Sequence, residues 1–267
     1  MKRHKALLID LDGTLYHGRH MIEGADVFIR TLKDNHIPHL FVTNNSSRTP
    51  EAVAALLNSM GIQAETKEVC TSSQATAKYI AARTPNARVT ILGEDGLRSA
   101  LTQAGLEEVD QDPQYVVQGI DRNFSYHALA SAMRWISEGA QFILTNPDLQ
   151  LPSDDGVAPG AGTLAAAIEA GSGVKPIVIG KPSSHLMSYA TDILGMMPED
   201  VIVVGDNMRT DISAGAAAGC ETILVLTGIT TESSLQEDIR IAGVEPNVIC
   251  KDLHDLLRHI SDDMLGS

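Results

Sequence analysis

Short apolar runs alternate with amphipathic stretches along most of the chain. The run Ala6–Ile9 contains no polar side chain, which is typical of a strand that is buried on both faces of a parallel sheet. The stretch that follows repeats apolar residues at helical spacing through Phe28, Ile29 and Leu32. This alternation of strand and helix continues along the chain and predicts an α/β fold with parallel sheets.

The same reading assigns ranges to the other elements. Further strands are predicted at residues 37–42, 69–71, 89–92, 115–118, 141–145, 177–179, 200–204, 222–226 and 248–250. Helices are predicted near residues 25–32, 49–60, 73–82, 94–104, 125–138, 164–170, 184–194, 211–218, 234–242 and 253–260. A small hairpin is expected at residues 16–23.

Breaks in the alternation divide the chain. Thr84-Pro85-Asn86 interrupts it, and Gly171-Ser172-Gly173 is typical of a hinge. A long polar loop is expected at residues 146–162, which contain three prolines and three glycines. We therefore expect a discontinuous Rossmann-like core of residues 1–83 and 177–267, with a second α/β domain of residues 84–176 inserted into it.

Composition and charge narrow the class of protein. The chain has 267 residues, of which 43% are hydrophobic and 20% charged, and its formal net charge is −14. This charge argues against binding to nucleic acid or to an anionic membrane surface. If the substrate is an anion, a local metal ion, a lysine or helix N-termini must offset the acidic chain.

The three cysteines, Cys70, Cys220 and Cys250, match no metal-ligand spacing or disulfide framework. They are typical of buried thiols in a reducing compartment. The N-terminal apolar run is too short for a signal sequence, and no run approaches the length of a membrane span. A cytoplasmic protein is therefore expected. The sequence does not determine the oligomeric state, and a homodimer is one open alternative.

Polar residues that could take part in catalysis or ligand binding follow several predicted core strands. Each group alone is an ordinary turn or helix cap, but their repetition at strand ends indicates a common site, because ligands bind at the carboxyl ends of strands in open α/β sheets. The groups are Asp10 and Asp12, Thr43-Asn44-Asn45, Gly180-Lys181-Pro182, and Gly205-Asp206-Asn207 with Asp211.

These motifs resemble the four motifs of the haloacid dehalogenase superfamily, through nearly the whole chain. The inserted domain, with Thr145-Asn146-Pro147-Asp148 and Pro159-Gly160-Ala161-Gly162, is similar to the cap of the NagD-type, 4-nitrophenylphosphatase-like branch. The resemblance implies a phosphatase that hydrolyses small phosphate monoesters, such as sugar phosphates or nucleotides, through an aspartyl-phosphate intermediate.

The resemblance also implies roles for individual residues. Asp10 would be the nucleophile, and Asp12 would protonate the leaving group and then deprotonate the attacking water. Lys181 would contact both the phosphoryl group and the nucleophile. Thr43, with the backbone amides of Asn44 and Asn45, would bind phosphate oxygens.

A Mg²⁺ cofactor is implied as well, because Mg²⁺ prefers a few carboxylate or carbonyl ligands together with water and phosphate. Its protein ligands would be Asp10, the backbone carbonyl of Asp12, and Asp206. Asn207 and Asp211 would lie behind them, with Asp211 placed to orient Lys181 or metal-bound water. The inserted domain would close over the site, and its loop would select the substrate through Asn146 and Asp148.

Other functions remain open at this point. A phosphomutase or another phosphoryl transferase would use the same groups, although its cap is usually inserted earlier in the chain. A carbon–halogen hydrolase would have no use for Asp12. A phosphorylation-dependent binding module also pairs acidic residues with a Thr and a Lys, but such modules have about half this length and no cap.

Overall fold

The computed structural model describes residues 5–153 and 156–265. The strands are β1 (Ala6–Ile9), β2 (Tyr16–His17), β3 (His20–Met21), β4 (His39–Thr43), β5 (Val69–Thr71), β6 (Arg88–Leu92), β7 (Glu107–Glu108), β8 (Tyr115–Gln118), β9 (Gln141–Leu144), β10 (Gln150–Ser153), β11 (Gly156–Pro159), β12 (Ile177–Val178), β13 (Val201–Gly205), β14 (Glu221–Val225) and β15 (Val248–Cys250). The helices are α1 (Ala25–Asp34), α2 (Pro50–Ser59), α3 (Ser72–Arg83), α4 (Asp95–Gln103), α5 (Tyr126–Ser137), α6 (Ala161–Ser172), α7 (Ser184–Leu194), α8 (Ser213–Ala218), α9 (Leu235–Ala242) and α10 (Leu253–Ile260).

The chain divides into two compact units. The first comprises the described part of Met1–Thr43, Glu51–Cys70 and Lys181–Ser267, and the second comprises the described part of Asn44–Pro50 and Thr71–Gly180. The second unit thus includes α3, which packs against α4. The assignment of the units as a catalytic core and a cap stays a prediction.

The first unit contains a six-stranded sheet in the order β15-β14-β13-β1-β4-β5. Strand β1 pairs in parallel with β13 on one side and with β4 on the other, and β14 and β15 extend the sheet in parallel beyond β13. Counted within this unit alone, the strand order is that of a doubly wound Rossmann-like sheet, 3-2-1-4-5-6. The prediction of a parallel α/β core is confirmed.

Burial explains why the apolar runs form central strands. All four residues of β1 are buried, as are all five of β13. One face of the sheet packs against apolar side chains of α1, α2 and α10, including Phe28, Leu57 and Leu256. Helix α7 contacts β1 and β4, and α8 contacts β14. Strands that are covered on both sides tolerate few polar side chains, which accounts for the uninterrupted runs in the sequence.

The second unit contains a five-stranded sheet in the order β12-β9-β8-β6-β7, with every neighbouring pair parallel. Helices α5 and α6 pack on this sheet through residues such as Ala132, Ile136 and Ile168. The inserted segment is therefore itself α/β, as the sequence predicts.

Three local expectations are wrong. Residues 177–179 were expected as a core strand, but Ile177–Val178 pairs with β9 of the second sheet, because an apolar run identifies a strand without identifying its partner. The polar stretch 146–162 contains the antiparallel pair β10–β11. The expected hinge 171–173 is instead the last turn of α6, which ends on Gly173 in the left-handed conformation.

No helix among the described residues combines the length and the apolar character needed to cross a membrane.

Candidate active site

The sheet of the first unit brings two of the predicted aspartates to neighbouring strand ends. Asp10 directly follows β1 and Asp206 directly follows β13, and these two strands are paired in register from Ala6 with Val201 to Ile9 with Val204. They are also the strands between which the strand order reverses. In doubly wound sheets, the crevice beyond the carboxyl ends at this point is where ligands bind.

Lys181 joins Asp10 to Asp211. Its ammonium donates to Asp10 Oδ1 and, at 2.6 Å, to Asp211 Oδ1. Lys181 is 3% exposed and Asp211 is 1% exposed. A buried ammonium is stable only when carboxylates or other acceptors surround it, so the two aspartates fix the position of this charge.

Asp206 is also buried and is contacted from two sides. Its Oδ2 accepts the backbone N–H of Ile229 at 2.6 Å, and its Oδ1 accepts the Thr14 hydroxyl at 3.3 Å. The same hydroxyl lies 3.4 Å from Asp10 Oδ2. Gly13, with φ of 90°, lies so close to Asp206 that an added Cβ would overlap the carboxylate.

The charges in this cluster do not balance. Burial raises the pKa of Asp10 well above its usual range, and the Asp211 and Asp206 carboxylates raise it further against the opposing effect of Lys181. Burial, followed by Asp211, raises the pKa of Asp206 to about 6. Burial lowers the pKa of Lys181, but Asp10 and Asp211 outweigh it and raise that pKa overall. One lysine is therefore insufficient to neutralise the carboxylates that face it.

This excess of negative charge fits a divalent cation. Asp10, Asp206 and Asp211 each offer one carboxylate oxygen, and the three oxygens lie within 4.8 Å of one another. A donor set made only of oxygen suits a hard cation such as Mg²⁺. Asp211 accepts from Lys181 and from the backbone N–H of Asn207, whereas the weakest contacts in the cluster are the long ones from the Thr14 hydroxyl to Asp10 Oδ2 and Asp206 Oδ1.

The turn after β13 is shaped by its own side chains. Residues Met208–Ile212 form a single π-helical turn, and such turns are frequent at functional sites. Asn207 Oδ1 accepts the Arg209 N–H at 2.9 Å, so Asn207 caps the turn. Arg209 pairs with the buried carboxylate of Asp238 at 2.7 Å, which ties the turn to α9.

Two other predicted residues of the first unit, Asp12 and Thr43, lie at or just beyond the ends of β1 and β4. The side chain of Asp12 is exposed, and its backbone forms a bridge with Tyr16. Thr43 is the last residue of β4 and is buried. Their proposed roles in acid–base chemistry and phosphate binding stay predictions.

Four predicted residues belong to the second unit. Asp148 Oδ2 accepts the side-chain amides of Asn44 at 3.2 Å and Asn146 at 2.6 Å, and Thr145 donates to Asn146 Oδ1 at 2.9 Å. These bonds place Asn44, Asn146 and Asp148 in one cluster. Asn45 instead caps its own turn, because its Oδ1 accepts the Ser47 N–H at 2.9 Å.

Sequence reasoning missed the loop after β14, where Thr227 Oγ1 donates to the Gly13 carbonyl and the Thr227 carbonyl accepts from His17 Nε2 at 2.8 Å. It also assigned no role to the Thr14 hydroxyl. The loop contributes mainly backbone groups, and these cannot be identified from residue types. Thr227-Gly228 after an apolar strand was the available signal.

Comparison with family models identifies two matching regions. A model described as haloacid dehalogenase-like hydrolase matches residues 7–107, and one described as HAD-hydrolase-like matches residues 178–256. The first region contains Asp10, Asp12 and Thr43, and the second contains Lys181 and Asp206.

Characterised relatives match over almost the full chain. The 5'-nucleotidase YutF of Bacillus subtilis is 45% identical over 239 residues, covering 90% of this chain and 93% of that protein. An acid sugar phosphatase of Staphylococcus saprophyticus is 44% identical over 261 residues, covering 97% of this chain and 99% of the relative.

Solved structures agree in fold. The p-nitrophenyl phosphatase from Archaeoglobus fulgidus superposes with a TM-score of 0.90 at 37% identity, covering 96% of this chain and 99% of that one. NagD from Escherichia coli K-12 superposes with a TM-score of 0.87 at 33% identity, covering 93% and 96%.

Proposed function

Because this chain belongs to the haloacid dehalogenase-like hydrolases, in their NagD-type branch, we propose that it is a Mg²⁺-dependent phosphatase of small phosphate monoesters. The observation that carries the proposal is the buried Lys181 that joins Asp10 to Asp211 beside Asp206. This arrangement supplies a nucleophile, a fixed positive charge and an anionic site for a cation at the switch point of the sheet.

Asp10 is the proposed nucleophile. One of its carboxylate oxygens attacks phosphorus, the bond from phosphorus to the ester oxygen breaks, and an aspartyl phosphate forms. Asp12 gives its proton to the departing alkoxide. Asp12 then takes a proton from water, the resulting hydroxide attacks phosphorus, and inorganic phosphate leaves with Asp10 restored. The exposed side chain of Asp12 is accessible to this water.

Lys181 supports both halves of this reaction. Its ammonium favours the ionised form of Asp10, in opposition to burial and to the neighbouring carboxylates. It also lies beside the atom to which the phosphoryl group is transferred, where it offsets negative charge on the phosphoryl oxygens. Asp211 holds Lys181 in this position through the 2.6 Å ion pair.

The proposed Mg²⁺ would be held by Asp10, Asp206 and the backbone carbonyl of Asp12. When bound, it would neutralise the phosphoryl oxygens and the excess carboxylate charge. Asn207 and Asp211 would lie behind these ligands, with the Asn207 N–H donating to Asp211 Oδ2 and Asp211 reaching Asp10 through Lys181. Thr43 and the backbone amides of Asn44 and Asn45 are the proposed donors to phosphate oxygens.

The leaving group would be selected by Asn146 and Asp148. The relatives carry different names, a 5'-nucleotidase and an acid sugar phosphatase, so the proposal extends to sugar phosphates, nucleotides and similar esters. Two amides hold the Asp148 carboxylate in one orientation. An ordered acceptor of this kind suits a substrate that carries hydroxyl or amine donors.

The cytoplasm is the proposed location. Its support is chemical, because Cys70, Cys220 and Cys250 are buried free thiols and thiols persist in reducing compartments.

Hydrolysis of 4-nitrophenyl phosphate tests the proposal. We expect turnover by the wild-type protein that requires Mg²⁺ and is abolished by EDTA, and we expect Asp10→Asn to lose it. Asp34→Asn is the matched control, since Asp34 is the exposed last residue of α1 and its replacement removes the same charge. Unchanged turnover in Asp10→Asn would contradict the assignment of Asp10 as the nucleophile.

A further inference from the structure

The loop that follows β14 packs onto Asp206 although none of its residues belongs to the four motifs. It comprises Thr227-Gly228-Ile229-Thr230, and we name it the β14 loop. Strand β14 is the neighbour of β13 on the side away from β1, so its carboxyl end reaches Asp206 from the direction opposite to Asp10.

Three hydrogen bonds connect the β14 loop to Asp206 and its surroundings. The Ile229 N–H donates to Asp206 Oδ2 at 2.6 Å. The Thr230 N–H donates to the Asp206 carbonyl at 3.0 Å, and Thr230 Oγ1 accepts the Met208 N–H at 3.1 Å. Thr230 therefore binds the backbone on both sides of Asn207, while Ile229 fixes the Asp206 side chain. Thr230 is 1% exposed, so water cannot replace its contacts at low cost.

Gly228 permits this approach because it has no side chain. A Cβ at this position would overlap Asp206 Oδ2 and would lie 2.5 Å from its Cγ. A side chain here would have to displace the carboxylate or the whole loop, since both are held by the hydrogen bonds described above.

The contacts also distinguish the two carboxylate oxygens of Asp206. Oδ2 is occupied by a short, charge-assisted bond from a backbone amide. Oδ1 receives the longer 3.3 Å bond from the Thr14 hydroxyl. The same hydroxyl contacts Asp10 Oδ2, so Oδ1 is the oxygen of Asp206 that faces Asp10. A carboxylate that is fixed through one oxygen offers the other in a single direction, which is how supporting groups orient a metal ligand.

We propose that the β14 loop positions Asp206 to bind the divalent cation through Oδ1, with Gly228 and Thr230 as positioning residues. This inference rests on the proposed function, since it assigns the loop to the cation site of that reaction. The expected consequence of disturbing the loop is weaker cation binding, with little change in the affinity for the phosphate ester once the cation saturates.

Titration of the full-length protein with Mn²⁺, followed by the electron paramagnetic resonance signal of the free ion, measures the site directly. Thr230→Val removes the Oγ1 acceptor at almost constant volume, and Thr230→Ser retains it. We expect Thr230→Val to raise the Kd for Mn²⁺ by about 10- to 100-fold, and Thr230→Ser to restore it to within a few fold of the wild-type value. Gly228→Ala is expected to raise it at least as much.

Thr222→Val is the matched control. Thr222 is likewise buried, lies on β14, and donates its hydroxyl to Asn247 rather than to the site. Its Kd for Mn²⁺ should equal that of the wild type. In the phosphatase assay, Thr230→Val should raise the Mg²⁺ concentration for half-activation by the same factor, while KM for 4-nitrophenyl phosphate at saturating Mg²⁺ stays unchanged.

The results distinguish the role of the β14 loop from the existence of the cation site. Wild-type binding of Mn²⁺ together with an unchanged Kd in Thr230→Val overturns the role of the β14 loop and leaves the cation site intact. An equal loss of affinity in Thr222→Val and Thr230→Val also overturns it, because the effect would then be general destabilisation. A wild-type protein that binds no Mn²⁺ overturns the cation site itself and the inference with it.

Discussion

At the scale of single residues, the site is governed by a shortage of positive charge. Lys181 serves Asp10 and Asp211 at once, and Asp206 adds a third carboxylate with its pKa raised to about 6. The sequence could identify these residue types from their places in the motifs. The resemblance also implied that Lys181 contacts Asp10 and that Asp211 could orient it, but the burial of Lys181 depends on packing between segments far apart in the chain, which no local pattern encodes.

Lys181 is expected to contribute to stability and to catalysis for different reasons. Lys181→Met leaves the Asp211 carboxylate buried without its cation, which should lower the free energy of unfolding by roughly 3–5 kcal/mol. It should also lower kcat for 4-nitrophenyl phosphate by about 10²- to 10³-fold. Chemical denaturation and steady-state kinetics measure the two effects.

The double variant Lys181→Met/Asp211→Asn distinguishes them. Removing the Asp211 charge should recover part of the lost stability, since Asp10 still lacks its cation, whereas kcat should stay at the level of the single variant, because no positive charge returns to Asp10. Recovery of kcat together with stability would contradict the role of Lys181 in the reaction.

At the scale of elements, strand ends were predictable where a buried strand ends in or precedes a polar or ionisable side chain. The ends of β1, β4 and β13 meet this condition. The β14 loop does not, since it acts through backbone amides and a glycine. The pair β10–β11 was also missed, because its prolines and polar residues are typical of a loop. The two strands pair with each other in a separate two-stranded sheet.

The loop around Asp148 carries a prediction at this scale. The Asp148 carboxylate accepts hydrogen bonds from Asn44 and Asn146. Asp148→Ala therefore removes the proposed selecting group and leaves the nucleophile Asp10 in place. We expect the ranking of sugar phosphates and nucleotides to change by more than the rate on 4-nitrophenyl phosphate falls. A panel of phosphate esters assayed at saturating Mg²⁺ measures this.

Asp110→Ala is the control for that experiment, since Asp110 is an exposed acidic residue of the same unit outside this cluster. An equal fractional loss on every ester in Asp148→Ala would count against a selective role for Asp148.

At the scale of the whole molecule, the sequence predicted the α/β architecture, the parallel sheets and the family. Long periodic segments specify helices and strands well because burial dictates their pattern. The partner of a two-residue strand such as β12 and the unit to which α3 belongs depend on packing between segments far apart in the chain, which no local pattern encodes.

The central claim is that a covalent phosphoryl group forms on Asp10, and trapping it is the most direct test. The protein would be mixed with a ³²P-labelled phosphate ester and Mg²⁺ and quenched in acid within one turnover, when it should carry ³²P. Borohydride would then reduce the acyl phosphate to an alcohol and release the labelled phosphate. Peptide mapping should then find residue 10 as homoserine, while Asp12, Asp206 and Asp211 remain aspartate. Homoserine at a different position, ³²P that stays on the protein through the reduction, or turnover with residue 10 unmodified at every quench time would contradict the account.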